Sequence, residues 1–301
     1  MTDGKRILII GSLGQLGKEL QRSFAGTGEI TAYDRDEVDI ANAASLRAML
    51  DDVAPDIILN AAAYTAVDRA ETEREIADAI NASAPGILAE EARRRDALLV
   101  HYSTDYIFNG SKTSPWVETD APQPLNHYGA SKLAGEEAVA QAGGKYLIFR
   151  TSWVYGPHGG NFLLTMLRLG REREQLSIVD DQTGSPTTSM ALADATRTIV
   201  DGVREGKFGD ESEWAGLYHM TCGGVTTWFG FAQELFARAE RVFGQRSPVV
   251  TPISSDAWPS PAPRPRYSVL SNEKLRERFG VVLPDWKTEL DRTFDRLVET
   301  Q

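Results

Sequence analysis

The chain has 301 residues, 42% hydrophobic and 25% charged, enough to bury one large core or two joined lobes. With 32 basic against 43 acidic residues its net charge is −11, which argues against nucleic acid or an anionic membrane as a partner, since either needs a basic face. A small anionic ligand stays open, because a helix N-terminus or a local arginine holds phosphate even in an acidic protein. Cys222 is the only cysteine, so neither an internal disulfide nor a cysteine metal site can form, and beside Gly223 and Gly224 it reads as a small packing residue. Met1–Arg6 runs into a strand without an apolar signal segment, and the uncharged stretch Trp214–Gln233 is too interrupted to span a bilayer. No membrane partner is expected, and the cytoplasm is the expected compartment.

In chain order, Ile7–Ile10 is a buried-strand pattern, followed by a helix with Leu16, Leu20 and Phe24 at helical spacing. Ile30–Tyr33 is a second strand, Ala43–Asp52 a helix, and Ile57–Leu59 a third strand. Glu73–Arg95 reads as a long helix interrupted near Pro85, and Leu98–Val100 as the fourth strand. His127–Gln141 is a helix and Tyr146–Phe149 the fifth strand. Short strands apolar on both faces and separated by helices predict an α/β fold, a doubly wound parallel sheet of Rossmann type. After Arg150 the rhythm weakens: Gly156–Gly160 and Asp181–Thr188 read as loops, and Ser247–Arg266, with six prolines, as irregular. Leu270–Phe279 and Asp285–Val298 read as terminal helices. The expected organisation is a dinucleotide-binding domain over residues 1–150 and a smaller, loop-rich substrate lobe over 151–301, some of whose segments return to the first body.

Gly11-Ser12-Leu13-Gly14-Gln15-Leu16-Gly17 follows the first strand and opens the first helix. Its glycines allow a tight turn, close approach of a pyrophosphate, and packing of helix on sheet. Asp34 ends the second strand, where a carboxylate accepts from adenosine ribose hydroxyls, while the next residue, Arg35, suits a 2′-phosphate. NADH and NADPH are therefore both open. The small residues of Asn60-Ala61-Ala62-Ala63-Tyr64-Thr65 leave room for a ligand at the end of the third strand. Asp39, Ile40 and Tyr102 complete the expected cofactor contacts.

Tyr128-Gly129-Ala130-Ser131-Lys132 places Tyr and Lys on one helix face. An ammonium beside a phenol is expected to lower the phenol's pKa, fitting Tyr128 to give a proton to a carbonyl oxygen while Lys132 holds the nicotinamide ribose. His101-Tyr102-Ser103-Thr104-Asp105 follows the fourth strand, on the edge where such folds bind ligands, and Thr104 is the better candidate than Ser103 to hydrogen-bond the same oxygen. The order of these motifs, more than any one alone, indicates a nicotinamide-dependent oxidoreductase.

On these residues the chain resembles the extended short-chain dehydrogenases, and within them the dTDP-4-dehydrorhamnose reductases. The resemblance runs through Pro55–Asp68, His101–Gly110, Pro124–Gly129, Leu133–Glu136, Arg150–Gly156, Asp180–Thr187, Arg264-Pro265 and Ser268–Leu270. It implies reduction of carbon 4 of dTDP-4-dehydro-L-rhamnose, with Tyr128 as proton donor, Lys132 its electrostatic and ribose partner, and Thr104 orienting the substrate. Asp105, Trp153 and Arg264 would contact the sugar nucleotide. Some members are thought to dimerise around Mg²⁺ held by glutamates. Glu19 and Glu289 suit such a role, but Met190 stands where a third carboxylate is expected, and a thioether is a poor Mg²⁺ ligand. No metal is therefore expected, and a homodimer is left open.

Three alternatives remain at this stage. A dehydratase or epimerase of the same superfamily would use the same cofactor turn, but dehydration needs a second carboxylate where Tyr106 follows Asp105. A non-catalytic NADP-binding regulatory subunit would not need Thr104, Tyr128 and Lys132 together. A redox-sensing binding protein would likewise need only the cofactor turn.

Overall fold

A computed structural model describes residues 4–299. Six parallel strands form the central sheet: β1 (Arg6–Ile10), β2 (Glu29–Tyr33), β3 (Ile57–Asn60), β4 (Leu98–Thr104), β5 (Tyr146–Thr151) and β6 (Gly216–His219), in spatial order β2-β1-β3-β4-β5-β6. Successive side chains of a strand point to opposite faces, and both faces are filled. Ile7, Ile9, Leu59, Val100 and Phe149 enter one apolar core, and Leu8, Ile10, Ile58, Leu99 and Ile148 the other. That two-sided burial is the reason these strands read as unbroken apolar runs. The strand order reverses between β1 and β3, and the crevice beyond the carboxyl ends of strands at such a switch point is where doubly wound sheets bind ligands.

The main helices are α1 (Gln15–Phe24), α2 (Ala43–Val53), α3 (Ala84–Arg94), α4 (His127–Ala142), α5 (Phe162–Glu172), α6 (Ser189–Arg204), α7 (Trp228–Phe243) and α8 (Trp286–Glu299). Side-chain caps start five of them. Asn42, Asn126, Asn161, Thr188 and Thr227 each accept from a backbone N–H of the first turn, each cap contributing about 1 kcal/mol. The predicted helix over residues 73–95 breaks into a helix at Arg74–Asp78, a π-turn at Ala79–Ser83, and α3. Pro85 has no N–H for the carbonyl four residues back, and the wider turn absorbs the missing bond.

The second half is more regular than its sequence suggested. β6 joins the central sheet beside β5, and α6 packs along α1. The expected loop at 181–188 contains two short strands, Thr183–Gly184 paired with Thr226–Thr227 and Thr187–Thr188 paired with Val154–Tyr155. Within the proline-rich run, Val249–Ile253 pairs in parallel with Gln175–Val179. Pro252 is tolerated there because this two-stranded ladder pairs on one side only, so a missing donor is not missed. The terminal helices begin at Glu273 and Trp286, close to expectation.

Candidate active site

The turn after β1 is built around contacts that only glycine permits. Gly11 has φ +81°, and a Cβ there would lie 2.7 Å from the Ala62 backbone nitrogen; a Cβ on Gly17 would overlap the Gly11 carbonyl oxygen. The N-terminus of α1 is thereby held against the end of β3, with its first N–H groups facing the crevice. Gly14 is the N-cap and supplies no side-chain acceptor, which leaves those donors available to an anion. Ser12 is buried in the turn, Leu16 packs on the core and Gln15 reaches the Gly160 carbonyl at 3.4 Å. Asp34 accepts from Leu13 N at 2.8 Å and from Arg35 N at 2.9 Å, so its carboxylate braces the turn from the β2 side. The Arg35 side chain is exposed beside it. Ile40 packs partly on the core, and exposed Asp39 accepts from Ala41 N at 3.0 Å.

The segment Ala61–Thr65 lines the other side of the switch point. Asn81, in the π-turn, holds it: its side chain accepts from Tyr64 N at 2.8 Å and donates to Tyr64 O at 3.0 Å and to Ser131 Oγ at 3.0 Å. One buried amide thus ties the strand-end segment to α4. Sequence reading missed Asn81, and an asparagine interrupting a helical pattern just before a proline was the available signal. The Tyr64 hydroxyl donates to Glu73 at 2.5 Å.

The three expected catalytic residues converge. Thr104 ends β4, and Tyr128 and Lys132 stand in the first two turns of α4. A Cβ on Gly129 would overlap the Tyr106 carbonyl oxygen, so glycine lets the start of α4 lie directly on the end of β4. Tyr128 keeps a partly exposed side chain, stands edge-on to Tyr106 with ring centroids 5.7 Å apart, and hydrogen-bonds Thr104. Thr104 Oγ1 also donates to Asp105 Oδ1 at 3.1 Å.

The electrostatics differ from expectation. Loss of solvation pushes the Tyr128 phenol up to about 12, against a smaller downward effect of Thr104. Lys132 does not pull it down, because its ammonium is turned to the Tyr102 carbonyl at 2.7 Å and toward His101 Nε2 at 3.4 Å. Burial lowers Lys132 itself to about 8, Glu136 acting the other way. Tyr128 is therefore a firmly protonated phenol at neutral pH. The Tyr102 side chain, expected to touch a cofactor, is buried with its hydroxyl 2.8 Å from Thr196 Oγ1. Its carbonyl accepts from Lys132 Nζ at 2.7 Å.

Asp105 is buried, and loss of solvation raises its carboxyl to about 7, with hydrogen bonds from Ser268 and Thr104 partly opposing. Trp153 follows β5 on the same edge as Thr104, whose register partner is Thr151. Its φ of +48° lies in the left-handed region, which costs a bulky side chain on the order of 1–3 kcal/mol and is met mainly where surrounding packing imposes it. Arg264 is held by Asp68, with Nη2 3.0 Å from Oδ2, and by Ser260 and the Ala262 carbonyl. Arg266 stands exposed near Asp256.

The carboxylates considered for a metal are already paired. Glu19 is buried against Arg22 at 2.6 Å and His158 at 3.4 Å. Glu289 accepts from Thr188 Oγ1 at 2.6 Å and lies 3.5 Å from Arg292. Arg22 and Arg292 converge on Asp194 at 2.6 and 2.7 Å. Met190 is buried, and among the described residues no group of three or more His, Cys, Asp or Glu is placed to hold a metal ion. Cys222 is buried, and loss of solvation pushes its thiol up to about 12, in keeping with a packing role. No helix among the described residues is long and apolar enough to cross a membrane.

Known proteins resemble the chain over nearly its whole length. Residues 5–299 match the family model described as the RmlD substrate binding domain. The chain is 48% identical to the dTDP-4-dehydrorhamnose reductase of Burkholderia thailandensis, covering 94% of this chain and 95% of that one. It is 42% identical to the Escherichia coli K12 enzyme of the same name over 98% of both. The crystal structure of the Bacillus anthracis dTDP-4-dehydrorhamnose reductase in complex with NADP superposes with a TM-score of 0.88 at 37% identity, covering 97% of this chain and 99% of that one. On these full-length matches the chain belongs to the RmlD family of reductases.

Proposed function

We propose that this chain reduces the 4-keto group of dTDP-4-dehydro-β-L-rhamnose to dTDP-L-rhamnose, with NADPH or NADH as reductant. The observation that carries the reading is the meeting of a protonated Tyr128, Thr104 and Lys132 on the sheet edge whose switch point carries the tight glycine turn between β1 and α1. Gly11–Gly17 and the N-terminus of α1 would hold the pyrophosphate, Asp34 and Arg35 the adenosine ribose, and Ala61–Thr65 the remainder. When bound, the reduced nicotinamide supplies the hydride to carbon 4.

The residues of the chain supply the rest. Reduction forms one C–H and one O–H bond, and Tyr128 gives the proton of the second. A phenol held near 12 keeps that proton until negative charge develops on the substrate oxygen, which is when general acid catalysis acts. Thr104 holds the same oxygen in line. The phenolate left behind is stabilised by its hydrogen bond with Thr104, and the Lys132 ammonium, mostly charged below its pKa of about 8, would hold the nicotinamide ribose. Trp153, the 181–187 segment and Arg264 form the sugar-nucleotide side, and residues before 150 the cofactor side. Asp105 contacts the sugar. The neighbouring Tyr106 offers no second carboxylate, which favours reduction over dehydration.

The direct test adds dTDP-4-dehydrorhamnose to purified protein and follows loss of reduced-cofactor absorbance. Substrate-dependent loss with dTDP-rhamnose as product is expected. No loss with either NADPH or NADH would overturn the assignment.

A further inference from the structure

We propose that Trp228 is a positioning residue that, with Gln182 and Gly184, forms a rigid platform setting the plane of Trp153 for the sugar. The inference rests on the reading of Trp153 as a sugar contact and extends it to residues in two other segments. The Trp153 and Trp228 indoles stack with centroids 3.6 Å apart and planes within 6°. Trp228 opens α7, and its ring nitrogen donates to Gln182 Oε1 at 3.2 Å. Gln182 Nε2 donates in turn to Ser255 Oγ at 3.0 Å, and that hydroxyl donates to Asp181 at 2.5 Å. Phe162 packs on Trp228, 4.7 Å between centroids.

Gly184 supports Trp153 from its own strand. A Cβ there would lie 2.5 to 2.8 Å from three atoms of the Trp153 ring, so only glycine lets the indole sit where it does. Thr183–Gly184 pairs with Thr226–Thr227 immediately before Trp228, which fixes the spacing between the two halves of the platform. Segments near residues 153, 184 and 228 therefore converge on one side chain. That side chain is partly exposed on the edge that carries Thr104 and has a backbone conformation its residue type rarely adopts. A core aromatic would be enclosed and would need neither. Full packing around a partly exposed, conformationally costly ring is the mark of a group held for a ligand.

The geometry makes a separable claim. Trp228 touches Trp153, Phe162 and Gln182, none of which has a part in hydride or proton transfer, so loss of its ring alters how the sugar is held more than how hydride and proton move. Trp228→Ala is expected to raise KM for dTDP-4-dehydrorhamnose about tenfold, equivalent to about 1.4 kcal/mol, with kcat changed less than threefold and the Kd for NADPH unchanged. Trp228→Phe, which can still stack, is expected to restore most of the KM. Gly184→Ala, whose Cβ would collide with the Trp153 ring, is expected to reproduce the KM effect. Circular dichroism checks the stack itself: the couplet from two coupled indoles is expected in the wild type and absent from Trp228→Phe and Trp153→Phe. Trp153→Ala serves as the control. If it raises KM while Trp228→Ala and Gly184→Ala, both folded, leave KM within twofold, the platform is overturned and the sugar contact stands. If Trp153→Ala leaves KM unchanged, the reading of Trp153 is overturned and the platform falls with it.

Discussion

Asp105 offers a quantitative test of how the site is built. An aspartate in an unfolded chain ionises near pH 3.9, whereas burial holds this one at about 7. The native state thus binds the proton more tightly than the unfolded state, and stability falls as pH rises between those two values. The favourable contribution is complete below about pH 4 and lost above about pH 7. Each tenfold in proton affinity is about 1.4 kcal/mol, so a buried, ionised Asp105 costs the fold up to about 4 kcal/mol at pH 8. Asp105→Asn keeps shape and hydrogen-bonding capacity but removes the titration. It is expected to change stability little at pH 4.5 and to add roughly 2–4 kcal/mol at pH 8. Urea unfolding of both proteins at half-unit pH steps measures the difference. A stability gap independent of pH between 4.5 and 8 would refute the buried, proton-binding carboxyl and the reasoning built on it.

Other expectations follow from single contacts. Tyr128→Phe is expected to lower kcat by at least about a hundredfold, with NADPH affinity and thermal midpoint preserved, since the phenolic proton acts only in the transition state; turnover within threefold of wild type removes Tyr128 from the mechanism. Both NADH and NADPH are expected to support the reaction, and Asp34→Ala to shift the kcat/KM ratio toward NADPH while weakening both, because Asp34 also braces Leu13 N; an unchanged ratio refutes its ribose role. Arg264→Gln is expected to raise KM for the sugar nucleotide several-fold and leave cofactor binding alone. Equal KM values for variant and wild type would mean that Arg264 serves only its ion pair with Asp68.

The sequence alone determined the α/β class, the first five strands of the sheet along the chain and the positions of the glycine turn, Thr104, Tyr128 and Lys132, because those signals are local. Two-sided strand runs, helical spacing and a four-residue Tyr–Lys interval are written within a few residues of one another. Even the break before Pro85 was legible, although its form as a π-turn was not. The tertiary structure decided what depends on residues far apart in the chain. Lys132 has a local relation to Tyr128, but its ammonium is taken by the Tyr102 carbonyl on β4, and enclosure by several elements raises the phenol instead of lowering it. Pro252 could enter a strand only because Gln175–Val179 offered a one-sided partner. Asn81 gained its role from Tyr64 and Ser131 together, and the glutamates near α1 and α8 were claimed by arginines that meet at Asp194. A side chain's charge state and partners are set by the dielectric and donors that packing brings around it, and packing joins segments with no spacing in common.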